Sequence, residues 1–231
     1  MCFITDKARA SCAPLMGACL LLASIDGAHA GASLLVDDAA VTPAGRCQVE
    51  SWVRGYSHGR ELTAVPACNY AGTEFSLGVS DFFKPGTGPL LNLGAKHLWR
   101  DFDEETFGIG ASMGATWSAA SGRVEIESFN IPASFAFDAQ RNLVLHANLG
   151  WIDTRDTSHG LTGGVGLERV VTTTSVLLVE FYAQPDRVNI GQLGVRHTVN
   201  ESINIDLLVG HQNHVANGSM FVTLGFNILL H

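Results

Sequence analysis

The sequence predicts an all-β chain, a closed antiparallel up-and-down transmembrane barrel of about 12 strands. Three observations predict it. Apolar and polar side chains alternate with period two through most of residues 31–231, as in strands lying between two unlike surroundings. The polar face of those strands carries ionisable residues, which the interior of a barrel can hold. The mean hydropathy is +0.19 and only 16% of residues are charged. Yet beyond the first thirty residues no apolar run reaches the roughly 20 residues that a spanning helix needs. Short alternating strands spread that apolar content around a sheet, and the sheet must close because lipid cannot satisfy an open edge.

Residues 1–30 read as a secretory signal peptide, which leaves residues 31–231 for the barrel. Lys7 and Arg9 supply the positive start, Ala13 to Ile25 the apolar run, and Ala28-His29-Ala30 a small-x-small cleavage site. The formal net charge is −8, and the leader's Asp6 and Asp26 cancel its two cations, so the exported part keeps that charge. That argues against a nucleic-acid partner, whose phosphates require a basic face. Cys2, Cys12 and Cys19 leave with the leader, and Cys47 and Cys68 remain. An even pair in an exported chain suggests a disulfide.

The strands are expected near 46–56, 61–71, 73–83, 90–99, 106–117, 124–137, 142–152, 160–169, 174–184, 188–198, 202–211 and 219–230. Turn clusters separate them, among them Ser57-His58-Gly59-Arg60, Pro85-Gly86-Thr87-Gly88-Pro89 and Gln184-Pro185-Asp186. In the first hairpin, a turn centred between Ser57 and His58 sets Cys47 opposite Cys68; one residue later it sets Cys47 opposite Tyr70. The second strand contains Pro66 and the sixth Pro132, each requiring a break in its ladder. The fourth sets Leu91, Leu93, Ala95 and Trp99 against Asn92, Gly94 and Lys96. The fifth alternates strictly, Phe107, Ile109, Ala111, Met113, Ala115 and Trp117 on one face. Its Gly110-x-x-x-Gly114 matches the spacing of packed membrane helices, but closely spaced glycines are poor helix composition. In the seventh, Leu143, Leu145, Ala147, Leu149 and Trp151 oppose Asn142, His146, Asn148 and Gly150, with Val144 out of pattern. The eighth is glycine-rich, with Gly160, Gly163, Gly164 and Gly166, and has few side chains to pack. In the eleventh, Leu208 breaks the polar face of Asn204, Asp206 and Gly210. The twelfth places Val222, Leu224, Phe226, Ile228 and Leu230 on one face.

Glu50, Arg54, Glu74, Lys96, Glu168, Glu180, Arg196 and Asp206 fall within strands and are the candidate lumen-lining residues. Tyr56, Tyr70, Phe82, Phe83, Trp99, Phe102, Trp117, Phe137 and Trp151 lie near strand ends, where a transmembrane barrel carries aromatic girdles. His211 and His214 span a turn without a third ligand, so neither a metal nor a cofactor is expected. A lipid hydrolase would need a serine activated by a histidine. His58, His146 and His159 lie near serine or asparagine, but none begins a His-x-Ser pair that would share one strand face, so an enzyme is not expected.

The stretch Val36-Asp37-Asp38-Ala39, followed by Pro43-x-Gly45-Arg46-Cys47-Gln48-Val49-Glu50-Ser51-Trp52, resembles a bacterial barrel family named for the MetA pathway of phenol degradation. Glu74-x-x-Leu77-Gly78 and Leu93-Gly94-Ala95-Lys96 are similar to that family's early strands. The resemblance implies an outer-membrane barrel, surrounded by lipid, that passes small organic molecules. The expected function is a porin-like channel or transporter-like passage for small solutes in the bacterial outer membrane. The alternatives are a non-conducting structural or interaction barrel and an outer-membrane lipid hydrolase.

Overall fold

The computed structural model describes residues 33–57, 59–83, 88–102, 105–213 and 220–230. The signal-peptide expectation and His214 lie outside the described residues.

Twelve strands follow one another in chain order: β1 Cys47–Tyr56, β2 Gly59–Tyr70, β3 Thr73–Asp81, β4 Leu90–Arg100, β5 Phe107–Ser118, β6 Arg123–Ala136, β7 Leu143–Thr154, β8 Ser158–Thr172, β9 Ser175–Ala183, β10 Asn189–Asn200, β11 Ile203–Gln212 and β12 Met220–Leu230. Each pairs antiparallel with its neighbours in sequence, and β1 pairs with β12 from Cys47 opposite Leu230 to Tyr56 opposite Phe221, closing the barrel. The lengths, from 9 residues in β3 to 15 in β8, match or exceed the roughly 9–11 residues a tilted strand needs to cross a bilayer.

Alternation decides which side chains face out. Leu77, Leu93, Met113, Leu149, Leu161, Val165, Leu193, Leu207 and Val222 are exposed around the outer wall. Glu61, Thr63, Ser134, His146, Asn148, Glu168, Gln192 and Asp206 are buried within it. A water-soluble sheet protein would carry these two sets the other way round. Among the strand-end aromatics, Tyr70, Phe83, Trp99, Phe137 and Trp151 are exposed. Two others depart from the girdle expectation. Phe102 is buried in an internal apolar cluster with Ala39, Ala136 and Val144. The Tyr56 hydroxyl donates to Glu61, whose side chain faces inward.

Both strand prolines interrupt one ladder only. The β2–β3 register runs to Ala64 opposite Val79 and resumes at Ala67 opposite Ser76, while Pro66 still faces Val49 of β1. The β5–β6 register lapses between Ile109 opposite Ala133 and Ser112 opposite Asn130, while Pro132 still faces Asn148 of β7. A missing N–H costs one ladder bond, and each strand places the gap on a single side. The first hairpin takes the register that sets Cys47 opposite Cys68, and the two are joined in a disulfide.

The glycine-rich β8 is the longest strand, two residues longer at its start and three at its end than expected. Its glycines make room for a segment that comes before β1. Residues 33–42 run through the barrel interior, where Ser33, Val36, Asp38, Ala39, Ala40, Val41 and Thr42 are buried. A side chain at Gly164 would begin 2.9 Å from the Val36 Cγ2. One at Gly225 would begin 2.7 Å from the Ser33 Cβ.

Candidate functional site in the barrel interior

Between Thr42 and Ser33 the internal segment meets side chains from around the ring of strands. The Thr42 backbone N–H and hydroxyl both donate to the Glu74 carboxylate of β3. The Thr42 carbonyl accepts from the Asn69 side chain of β2 at 2.7 Å. Lys96 of β4 pairs with Asp37 at 2.7 Å and Asp38 at 3.0 Å. The Ala39 N–H donates to the Ser134 hydroxyl of β6 at 2.8 Å. The Asp37 N–H donates to the Asn148 Oδ1 of β7, and the Asn148 Nδ2 donates back to the Asp37 carbonyl, both at 2.7 Å. Glu180 of β9 accepts the N–H groups of Leu35 at 3.1 Å and Val36 at 3.0 Å. The Ser33 hydroxyl donates to Asp206 of β11 at 2.6 Å. The segment therefore follows the inner wall, and its backbone donors are met by inward side chains rather than by a strand ladder.

The eight in-strand charges singled out from the sequence all face the interior, in four settings. Glu74, Lys96, Glu180 and Asp206 hold the internal segment directly. Arg196 and Glu168 form a buried group behind it. The Arg196 guanidinium makes two parallel contacts to Asp206, at 2.8 and 3.0 Å, and approaches Glu168 at 3.6 Å. Arg54 bonds the Thr223 hydroxyl and the Ser33 carbonyl and lies 3.9 Å from Glu61. Glu50 accepts from Asn227 at 3.4 Å and faces a cavity of about 320 Å³ that Gln48, Glu74, Lys96 and Ser112 also line, with Asp37 and Asp38 of the segment. The inward strand carboxylates Glu50, Glu61, Glu74, Glu168, Glu180 and Asp206 outnumber the inward cations Arg54, Lys96 and Arg196.

Several contributors went unread in the sequence. Asp37 and Asp38 stand in the quoted motif, but no periodicity in that stretch assigns them a direction. Gln48, Glu61 and Gln192 occupy inward parity positions, so alternation could have found them as it found Asn148 on the polar face of the seventh strand. The pairing of Ser134 with His146 also escaped a search along single strands. They lie opposite each other on β6 and β7, with the Ser134 hydroxyl 2.7 Å from the His146 Nδ1. That pair is not laid out for lipid hydrolysis. Ser134 is fully buried, faces the interior and accepts the Ala39 N–H, so its surroundings are the internal segment rather than lipid. Among the described residues no group of three or more His, Cys, Asp and Glu side chains is placed to hold a metal ion.

The family described as "Uncharacterised conserved protein UCP029691" matches residues 18–230. The chain belongs to that family. No curated protein matches it. Among solved structures, a KdgM porin in complex with disordered oligogalacturonate superposes with a TM-score of 0.64, covering 80% of this chain and 99% of that one at 9% identity. A NanC porin gives 0.60 over 80% and 100% of the two chains, also at 9% identity. The COG4313 outer membrane channel from Pseudomonas putida F1 gives 0.55 over 84% and 98%, at 11% identity. At these identities the likeness establishes the fold: a twelve-stranded barrel of the kind found in porins.

Proposed function

We propose that the chain is an outer-membrane channel for small solutes, with residues 33–42 constricting the passage in the conformation described. One observation carries the reading: a closed barrel wears apolar side chains outside and polar, charged ones inside, while a short segment of its own chain runs through the interior. Similarity of the whole barrel to porins and an outer membrane channel supports it. In this reading Glu50, Arg54, Glu74, Lys96, Glu168, Glu180, Arg196 and Asp206 line or brace the passage. Cys47–Cys68 clamps the first hairpin at one end of the barrel. The likeness of residues 36–100 to the barrel family named for the MetA pathway belongs to the same reading and rests on the motifs quoted for it. The segment is held by hydrogen bonds to exchangeable side chains and by a small apolar cluster around Ala39 and Phe102, without a covalent link to the strands it crosses. The test is reconstitution of the full mature protein in planar bilayers. Stepwise conductance is expected; a bilayer that stays silent at high protein load overturns the channel reading and leaves a structural barrel.

A further inference from the structure

Resting on the channel reading, we infer that the passage takes cationic solutes rich in hydrogen-bond donors, linear oligoamines being the simplest, and that Glu180 with Gln192 is the subsite that receives them. The internal segment shows what this wall binds. Its N–H groups at Leu35, Val36, Asp37, Ala39 and Thr42 are taken by acceptors on the barrel wall. Glu180 accepts two of them. A guest that replaces the segment must return those donors, because a buried carboxylate left without them is costly.

Two further observations give the guest its charge. The Lys96 ammonium pairs with Asp37 and Asp38 of the segment, while the inward strand carboxylates exceed the inward cations by six to three. The wall without its segment is therefore net acidic, and a passage lined by one sign of charge concentrates the other. The second observation lies at Glu180. Gln192 is 3% exposed, and its Nε2 donates to Glu180 and to the Ser33 carbonyl. Its side-chain oxygen has no hydrogen-bond partner among the described residues. An acceptor buried without a donor, beside a carboxylate that takes two more, is a place for one further donor. An ammonium group, with three donors and a positive charge, supplies both demands. A uronate can donate through its hydroxyls, but its own carboxylate brings the same sign of charge as the wall. In this the wall differs from what the KdgM porin is described as holding, an oligogalacturonate.

The experiment measures reversal potentials of the full mature protein in planar bilayers under a KCl gradient, with spermidine and trigalacturonate as competing blockers. K⁺ is expected to permeate several-fold more than Cl⁻, and spermidine, not trigalacturonate, to reduce the current. Glu180→Gln is expected to weaken spermidine block about tenfold, the loss of one charge-assisted contact. Chloride preference, or block by trigalacturonate, overturns this inference while leaving the channel reading intact. Calorimetry of spermidine with the detergent-folded protein reads the subsite without conductance. Binding that Glu180→Gln weakens about tenfold supports the subsite even beside a silent bilayer, and no binding by the folded wild type, or binding that Glu180→Gln leaves unchanged, overturns it.

Discussion

Arg196 is 1% exposed, yet it is a cation, and its environment explains how that is tolerated. The fork of the guanidinium meets both oxygens of Asp206 across the β10–β11 ladder, and Glu168 stands on the other side. Asp206 in turn receives the Ser33 hydroxyl, so one buried ion pair both braces the wall and holds the start of the described internal segment. Removing one partner strands the other. Arg196→Ala is expected to destabilise the barrel by about 3–5 kcal/mol, read as a lower temperature of unfolding for the folded band on heat-modifiable gels. Unchanged melting would show that the two carboxylates find water. A residue that braces is a poor probe of selectivity, which is why Glu180, bonded to the segment itself, is the better position for that test. Val144 and Leu208, both exceptions to the alternation, have the same kind of cause. Val144 packs against Ala39, Phe102 and Ala136. Leu208 is 1% exposed and lies over Gly194, where a Cβ would meet its Cα at 2.7 Å.

At the scale of elements, the first hairpin and the internal segment each yield a prediction. The disulfide joins residues 21 apart in sequence, a loop whose closure in the unfolded chain is worth about 3 kcal/mol in the chain-entropy account. Cys47→Ser with Cys68→Ser is expected to lower the unfolding temperature without loss of strand content by circular dichroism. Lost strand content would mean that the bond is needed for assembly rather than stability. The segment can be tied to β8. A Cβ at Gly166 would lie 3.4 Å from the Val36 Cβ, near the roughly 3.5–4.5 Å of disulfide-bonded cysteines. Val36→Cys with Gly166→Cys is therefore expected to oxidise spontaneously and to hold conductance low until reductant is added, with wild type and reductant as the control for Cys47–Cys68. Equal currents in the oxidised and reduced variant would show that ions pass beside a segment that does not move.

On the scale of the whole molecule, two surroundings act on one sheet. The outer wall exposes Leu93, Leu149, Leu161, Met113 and Leu207 at more than half of their surface, which water would penalise and hydrocarbon welcomes. The protein is expected to fractionate with the outer membrane and to aggregate when detergent is removed, as light scattering would report. A monodisperse folded form in plain buffer would be incompatible with this wall.

Strand number, order and the outward faces were legible from the chain alone, because a period of two and turn chemistry are local properties that any twelve residues display. The outward set Phe107 to Trp117 and the hairpin that unites Cys47 with Cys68 follow from such local rules. Strand parity also singled out the eight interior charges but could not supply their partners, since Glu180 lies 144 residues from Val36 and Ser33 lies 173 from Asp206. The internal segment left no periodic trace: residues 33–42 form no strand, and their donors are taken by side chains on five separate strands, β3, β6, β7, β9 and β11. The glycines of β8 read as weakness in one dimension and proved to be space for Val36 in three. Sequence by itself thus determined the wall, since alternation is written residue by residue. Only the closed tertiary structure decided what fills it, because contacts across a lumen depend on which distant strands the closure brings face to face.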